Sequence, residues 1–492
     1  MAAGTPLCRP DGNVIFKISM NSNRSFLVRN ALVVAMALVL GPSDSVGAET
    51  RTGFKFSFGP GTAAPGYTRV GADQVYTKEL GYGFEPGATV EAVDQGGSDP
   101  LRAGFVTGTG IFRFSVTVPA GNYRVTVTLG DRKGESTTTV KAETRRLMLE
   151  RVHTNSGEFA TRSFMVNVRT PAVSAGNVLK LDTREINPQT HEAVTATWDD
   201  KLTLQFSDAR PAVCALEIEK VDDAVTVFLI GDSTVTDQAG EPYGTWGQML
   251  SRWFKPPVAI ANHAESGETL KAFGMQGRWF KVMSEMKPGD YVFMQFGHND
   301  LNKTGHDGIW PRDDTMGDWV NTYAEAGTDY KWMLAAYATE VKRRGGIPVI
   351  VSPMTKINLR TGELNVAGLG DYPKAAIEAA KMADVACIDL NAMSIAVATG
   401  LGPTLAPKAY VDGLHTNTYG GYLLSRCIVE GIRQAHLGLE KYLTDAAGTF
   451  DPAHPQPLPD NFTIPLEPRP PGRGGPPPGP AKPPAEAGTA KK

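Results

Sequence analysis

The N-terminal part of the chain alternates between apolar and polar residues with a period of two. The alternation is clearest over residues 54–58, 111–118, 123–129 and 201–206. Half-buried antiparallel strands produce this pattern, and Gly, Pro and Asn separate the runs as they do in turns. We therefore expect residues 50–222 to form an all-β sandwich domain.

After Val225 the pattern changes to short apolar runs separated by segments with helical periodicity. These runs resemble strands that are buried on both faces, and they cover residues 225–230, 258–261, 291–296, 347–352 and 386–390. Between the first two runs, the apolar positions 246, 249, 250, 253 and 254 fall on one face of a helix. Strands that alternate with helices predict a parallel sheet with helices on both sides. We expect a three-layer α/β/α domain with five parallel strands over residues 223–448.

The start of the chain has the pattern of a secretory signal peptide. Two arginines precede an apolar stretch from Ala31 to Leu40, and a run of small residues ends at Ala48. A charged start, a short apolar run and a small-residue site are typical of such a signal. We expect residues 1–48 to direct export, so that the protein is secreted or periplasmic, with Met20 as an alternative initiator. The competing interpretation is an uncleaved membrane anchor.

The composition narrows the classes of function. A chain of 492 residues is long enough for two folded domains, and its 41% hydrophobic and 21% charged residues are typical of globular proteins. The net charge of −3 provides no broad positive field, so we expect no nucleic-acid partner. Nor do we expect a stable membrane span. The four cysteines are too few and too scattered for a disulfide framework. The Pro- and Gly-rich residues 449–492 predict a disordered tail, and the oligomeric state stays open.

Four polar motifs follow the predicted strands, at the edge where an open α/β sheet collects its reactive groups. They are Gly231-Asp-Ser-Thr234, Asn262-His-Ala-Glu-Ser-Gly267, Gly297-His-Asn-Asp300 and Asp412-Gly-Leu-His-Thr-Asn417. Acyl transfer needs a nucleophile, a base, a group that orients the base and donors to an oxyanion. We expect Ser233 to be the nucleophile, His415 the base and Asp412 its orienting carboxylate, with the last two on one face of a helical turn.

The same motifs contain donors for the oxyanion. The backbone N–H groups of Ser233 and Gly267 and the side-chain amide of Asn299 are the candidates. A glycine at position 267 allows a substrate carbonyl to approach the main chain closely. Ser266 is a rival nucleophile by sequence alone, but its position after the second strand favours a turn residue.

Other polar and aromatic residues near these motifs have more than one interpretation. His298 and Asp300 are candidate metal ligands together with Asp232, although a hydrogen-bonded frame around Ser233 and Asn299 fits better because no thiolate or second histidine completes a site. His298 is also a candidate for substrate binding. Trp310 and Trp319 lie in a polar insertion, which makes them candidates to line a polysaccharide groove.

Together these motifs resemble the four blocks of the SGNH, or GDSL-type, hydrolases. The longer phrases at 231–237, 262–267 and 295–300 are similar to those of the rhamnogalacturonan acetylesterases, and the likeness extends from about Val225 to Leu443. The resemblance implies a flavodoxin-like hydrolase domain, no metal and no cofactor. It implies the same roles for the triad and the oxyanion donors. The implied substrate and partner is an acetylated plant polysaccharide, pectin or rhamnogalacturonan, deacetylated through an acetyl-serine intermediate.

The β-rich region is similar to the galactose-binding-like domains that precede such esterases. Its role is open between glycan binding and structural support. For the whole chain the alternatives are an esterase of the same fold that acts on acetylated xylan or a lipid, and a non-catalytic glycan-binding protein.

Overall fold

In the computed structural model, the residues that can be described are 53–179, 181, 185, 195–302 and 322–456. The described strands of the N-terminal part are β1 (Gly53–Phe58), β2 (Thr68–Val70), β3 (Tyr82–Phe84), β4 (Val90–Asp94), β5 (Gly104–Gly108), β6 (Phe112–Thr117), β7 (Gly121–Gly130), β8 (Ser136–Ala142), β9 (Arg146–Thr154), β10 (Phe159–Val168), β11 (Ala172–Ser174), β12 (Asn177–Val178), β13 (Lys201–Arg210) and β14 (Val213–Lys220).

These strands form the predicted β-sandwich. One sheet has the order β10-β7-β14-β1-β2, with β5 paired to β14 and β4 paired to β5, and the other has the order β3-β6-β13-β8-β9. Alternate residues of both sheets point into one core. There Phe56 of the first sheet meets Phe114 of the second with ring centroids 5.1 Å apart in an edge-on arrangement, a favoured geometry for aromatic pairs. The period-two pattern thus correctly identified the inward-facing residues.

The C-terminal part alternates strands and helices. Its elements are β15 (Val225–Gly231), α1 (Trp246–Leu250), β16 (Val258–Asn262), α2 (Leu270–Met275), α3 (Arg278–Glu285), β17 (Tyr291–Gln295), α4 (Lys331–Arg343), β18 (Ile347–Val351), α5 (Tyr372–Ala383), β19 (Ala386–Ile388), α6 (Leu390–Leu405, with a break at Gly402) and α7 (Thr418–Gln434).

The five strands β15 to β19 form one parallel sheet in the order β16-β15-β17-β18-β19. Helices α1, α6 and α7 pack on one face, while α2 to α5 pack on the other. All five apolar positions of the first predicted helix are buried, although α1 ends at Leu250 and a 3₁₀ turn, Ser251–Trp253, continues the buried face. The three-layer α/β/α prediction is confirmed.

The packed chain continues past the predicted start of the tail at residue 449. Phe450 is buried beneath the guanidinium of Arg426, 4.6 Å from its ring centre, and Tyr419 donates to the carbonyl oxygen of Gln456 at 2.8 Å. An aromatic side chain inside a Pro-rich stretch explains why residues 449–456 pack. The predicted signal peptide and the rest of the tail lie outside the described residues. None of the described helices is long and apolar enough to cross a membrane.

Candidate active site

Ser233 lies in a tight turn directly after β15. The side chain of Asp232 organises this turn, because its Oδ1 accepts the backbone N–H of Thr234 at 2.9 Å and the Thr234 hydroxyl at 2.7 Å. Gly231 allows β17 to approach closely, since a Cβ at this position would lie 2.4 Å from the carbonyl oxygen of Gln295. The turn is therefore held at the carboxyl edge of the sheet in one conformation.

Ser233, His415 and Asp412 form a continuous chain of hydrogen bonds. Ser233 Oγ lies 2.8 Å from His415 Nε2, and His415 Nδ1 lies 2.8 Å from Asp412 Oδ2. With its Nδ1 proton donated to the carboxylate, His415 has Nε2 free to accept the serine proton. The structure thus brings together the three residues that the sequence selected for the triad.

The Asp412–His415 segment is not the helical turn that the three-residue spacing suggested. It is a tight loop closed by a bridge between Tyr410 and Thr416, with Gly413 at a φ of +83°. Asp412 Oδ1 accepts the backbone N–H of His415 at 2.8 Å. A carboxylate that caps its own loop reaches the imidazole without a helix, which explains why the predicted contact forms by another route.

Asp412 is suited to remain ionised. Burial alone would raise its pKa, but the hydrogen bond and charge of His415, together with two backbone N–H groups, lower the pKa below its ordinary value. An ionised partner favours the imidazolium that forms when His415 takes a proton.

The predicted oxyanion donors lie on the turns that follow three neighbouring strands. Gly267 has a φ of +83°, a conformation that favours glycine, and Asn299 donates its side-chain amide to the carbonyl oxygen of Glu268 at 3.0 Å. Within the described chain, no acceptor takes the backbone N–H of Ser233 or of Gly267. These two N–H groups and the second amide hydrogen of Asn299 are available to a ligand, and their role as an oxyanion hole stays a prediction.

His298 belongs to the frame beneath Ser233 and does not line a binding surface. Its Nδ1 lies 2.9 Å from Asp232 Oδ2, its Nε2 lies 2.9 Å from the carbonyl oxygen of Met354, and the side chain is buried. The prediction that His298 binds substrate is therefore wrong, because both ring nitrogens are engaged inside the protein. Both contacts form together when the doubly protonated ring donates to the two oxygens.

Asp232 and Asp300 support this frame in different ways. Burial raises the pKa of Asp232, but the charge and hydrogen bond of His298 outweigh burial, so the pKa lies below its usual value. Burial raises the pKa of Asp300 to about 7, while its two oxygens accept the N–H groups of Leu270 and Gly297. Among the described residues no group of His, Cys, Asp and Glu side chains is arranged to hold a metal ion.

Trp310 and Trp319 lie outside the described residues, so their predicted role in a polysaccharide groove stays a prediction. Sequence reasoning missed Gln238, whose side-chain amide donates to the carbonyl oxygen of Ser233 at 2.9 Å, and Tyr243, whose ring meets that of His415 edge-on at 5.7 Å. Neither residue lies in one of the four motifs, and nothing in the sequence pattern of their loop signals these contacts.

Comparisons with known proteins agree with the predicted type of both domains. A family model described as Beta-agarase/YXIM esterase-like, galactose-binding domain-like, matches residues 54–173, and the model of the GDSL-like Lipase/Acylhydrolase family matches residues 229–421. The chain is 26% identical over 426 residues to a protein named Uncharacterized esterase YxiM of Bacillus subtilis (strain 168), which covers 82% of this chain and 96% of that protein.

A second relative matches the hydrolase region alone. It is named Rhamnogalacturonan acetylesterase RhgT of Bacillus subtilis (strain 168), and it is 27% identical over 241 residues, or 46% of this chain and 96% of that protein. The crystal structure of YxiM from Bacillus subtilis is 23% identical, covers 78% of this chain and 99% of that chain, and has a TM-score of 0.39. The chain therefore contains a galactose-binding-like domain followed by a GDSL-like lipase/acylhydrolase domain, and it is a carboxylic ester hydrolase.

Proposed function

We propose that this enzyme removes O-acetyl groups from a plant cell-wall polysaccharide, with rhamnogalacturonan pectin as the substrate. The observation that carries the proposal is the hydrogen-bonded chain from Ser233 Oγ through His415 to Asp412. The name of the relative RhgT supports the choice of a rhamnogalacturonan acetyl ester.

The geometry supports a two-step mechanism. Ser233 Oγ attacks the acetyl carbonyl carbon while His415 Nε2 takes the hydroxyl proton, and Asp412 stabilises the imidazolium. The backbone N–H groups of Ser233 and Gly267 and the Asn299 side-chain amide donate hydrogen bonds that stabilise the negative charge on the carbonyl oxygen. The tetrahedral intermediate then collapses. His415 returns the proton to the departing sugar oxygen, so that a sugar hydroxyl leaves and an acetyl-serine remains.

Water completes the reaction by the same groups. His415 Nε2 takes a proton from a water molecule, whose oxygen attacks the acetyl carbon of the acetyl-serine. The second tetrahedral intermediate releases acetate as the proton passes to Ser233 Oγ. Each turnover therefore consumes one ester and one water, and it needs no group beyond the residues of this chain.

The position of Lys356 favours an acidic polymer over a neutral one as the substrate. Its segment is joined to the triad loop by the hydrogen bond from Ile357 N–H to the carbonyl oxygen of Gly413, 2.8 Å long. The half-buried ammonium has no ion pair or hydrogen bond within the described chain. Burial lowers the pKa of Lys356, while the charge of Asp232 beside Ser233 raises it. The galacturonate units of rhamnogalacturonan carry carboxylates that suit such a cation, whereas a backbone of xylose is neutral.

The experiment measures acetate release from acetylated rhamnogalacturonan, acetylated xylan and a long-chain acyl ester side by side. We expect the highest kcat/KM on rhamnogalacturonan and no release by Ser233→Ala, whose folded state is checked by circular dichroism. Lys356→Met should lower kcat/KM on rhamnogalacturonan more than on xylan. Higher activity on xylan or on the acyl ester would reject the pectin substrate, and turnover by Ser233→Ala would reject the mechanism.

Export is a separate part of the proposal. A polymeric cell-wall substrate is met outside the cell, and the sequence before residue 49 has the pattern of a signal peptide. N-terminal sequencing of the protein recovered from the culture medium or the periplasm should begin near Glu49. An intact Met1 on the recovered protein would contradict export by cleavage.

A further inference from the structure

A turn of the β-sandwich reaches into the α/β domain behind Ser233. This turn joins β8 to β9, and two of its residues have positive φ angles, +55° at Glu143 and +61° at Arg145. Residues with a Cβ rarely adopt this conformation unless their surroundings impose it. Arg145 is only 3% exposed, because its side chain leaves its own domain and enters the other.

The guanidinium of Arg145 binds three residues of one loop of the α/β domain. Its Nη1 donates to the carbonyl oxygen of Gln238 at 3.1 Å and to that of Tyr243 at 2.9 Å, and its Nη2 pairs with the carboxylate of Glu241. The planar group of arginine offers several donors in a fixed arrangement, which a lysine does not reproduce. Arg145 therefore fixes both the course of this loop and the charge within it.

The loop held by Arg145, residues 238–244, contacts both ends of the Ser233–His415 hydrogen bond. At its start, the Gln238 side chain donates to the carbonyl oxygen of Ser233 at 2.9 Å. At its end, the Tyr243 ring lies edge-on to His415, and the N–H of Gly244 donates to the carbonyl oxygen of Thr416 at 3.1 Å. The loop thus spans the gap between the serine turn and the histidine segment.

Two further contacts tie the same loop on either side of Arg145. Gln248 Nε2 donates at 2.9 Å both to the carbonyl oxygen of Thr144 in the β-sandwich and to that of Gln238. Thr418, which follows His415 closely in the chain, donates its hydroxyl to Glu241 at 3.0 Å. The carboxylate that Arg145 neutralises is therefore also bonded to the start of helix α7.

We propose that Arg145 is a positioning residue for ester hydrolysis, so that the N-terminal β domain sets the geometry between Ser233 and His415. The inference rests on the proposed roles of these two residues. A change of about 1 Å in the position of a reacting group reduces turnover by about 100-fold, and Arg145 acts on the loop that holds both groups. The β domain then forms part of the active-site scaffold whether or not it binds glycan.

The experiment uses the full-length chain and a small aryl acetate. Arg145→Met, which keeps the apolar stem and removes the donors, should lower kcat by about 10- to 100-fold with little change in KM. Arg145→Lys should recover part of the lost kcat. The matched control is Arg124→Met in the same domain, because Arg124 is exposed and pairs with an exposed glutamate, and this variant should behave like the wild type. Each kcat is expressed per molecule of folded enzyme, measured by circular dichroism.

A second variant covers the case in which Arg145→Met does not fold. Gln238→Leu removes the side-chain bond to Ser233 but leaves the carbonyl that Arg145 binds, and it should lower kcat without changing the unfolding midpoint. A folded Arg145→Met variant with wild-type kcat, or with a change in KM alone, would overturn the inference. Wild-type kcat in Gln238→Leu would do the same. Ser233→Ala separates this inference from the proposed function: if that variant is inactive while Arg145→Met is normal, only the inference fails, whereas an active Ser233→Ala overturns both.

Discussion

The carboxylate of Asp232 lies 2.9 Å from Nδ1 of His298, and neither side chain is exposed to solvent. Asp232 precedes Ser233 in the chain, and the other nitrogen of His298 is bound to the carbonyl oxygen of Met354. The buried pair therefore connects the turn of the nucleophile to the loop after β18. Its removal affects the support of the site and the stability of the domain together.

His298→Ala should destabilise the protein by about 3–5 kcal/mol, because it leaves the Asp232 carboxylate buried without a counter-charge. Urea unfolding monitored by fluorescence measures the change. His454→Ala is the matched control, since His454 forms a 2.7 Å contact with Asp451 in which both side chains are exposed. The control should leave the midpoint unchanged. An equal response of the two variants would contradict the role given to the buried pair.

Asp300 should make the protein less stable as the pH rises towards neutrality. Burial raises its pKa to about 7, whereas an aspartate in the unfolded chain has a pKa of about 3.9. Between these values the folded state holds a proton that the unfolded state has released, so the free energy of unfolding falls with rising pH and becomes level above the folded pKa. Asp232 and Asp412 act in the opposite sense at lower pH. Their lowered pKa values stabilise the fold above the unfolded pKa, and this stability is lost as the pH falls through the folded pKa.

The test of Asp300 compares urea midpoints at about pH 5 and about pH 8. Asp300→Asn cannot titrate, so the difference between its two midpoints should be smaller than in the wild type. The exposed Asp445→Asn variant should keep the wild-type difference. An unchanged pH dependence in Asp300→Asn would show that this carboxyl does not carry the effect.

Asp412→Asn should lower kcat by about 10⁴-fold with little change in KM. An amide nitrogen facing His415 Nδ1 would impose the tautomer that carries its proton on Nε2, and that nitrogen then no longer accepts the serine proton. Steady-state kinetics with an aryl acetate measure the loss. Asp451→Asn tests the same Asp-x-x-His spacing on the exposed surface, and it should retain full activity. A small effect of Asp412→Asn would remove Asp412 from the triad.

Asn299→Ala should lower kcat by about 10²- to 10³-fold, because one donor to the oxyanion is lost. The hydrogen bond to Glu268 is lost as well, so thermal unfolding is measured beside the kinetics. The control is Asn177→Ala, which removes a 2.9 Å amide hydrogen bond to Ser174 on the surface of the β domain. A variant with normal kcat and a lower unfolding midpoint would assign Asn299 a structural role only.

The strands and the contact among Ser233, His415 and Asp412 were predictable because their sequence signals are local. Apolar runs such as 291–296 mark strands that are buried on both faces, and Trp246 lies in the expected buried face of its helix. Short motifs after these strands had to meet at one edge of the sheet, since parallel strands end together there. Ser233 and His415 are 182 positions apart in the chain, yet their side chains meet. The rule places Ser233, which follows β15, but His415 lies on a loop beyond α6 and needs the course of that helix as well.

The errors and omissions concern side-chain direction and long-range contacts. Nothing in the Gly-His-Asn-Asp motif tells whether His298 points to a substrate or into the protein. The three-residue spacing of Asp412 and His415 fits a capped loop as well as a helix. Arg145 belongs to another domain and is 96 residues away from Glu241 in the chain. The sequence around either residue therefore gives no sign that the two side chains pair. Such contacts depend on how the two domains meet, which periodicity does not describe.

The order of the parallel sheet has a consequence for how a substrate meets the serine. Because β15 lies between β16 and β17, the turn that carries Ser233 has Gly267 on one flank and Asn299 on the other. With the predicted oxyanion donors on both flanks, an ester carbonyl that enters this gap would be approached from two sides at once. A circular permutation that kept β15 between β16 and β17 should therefore keep donors on both sides of the carbonyl. A rearrangement that moved β15 to the end of the sheet would leave the carbonyl with a donor on one flank only.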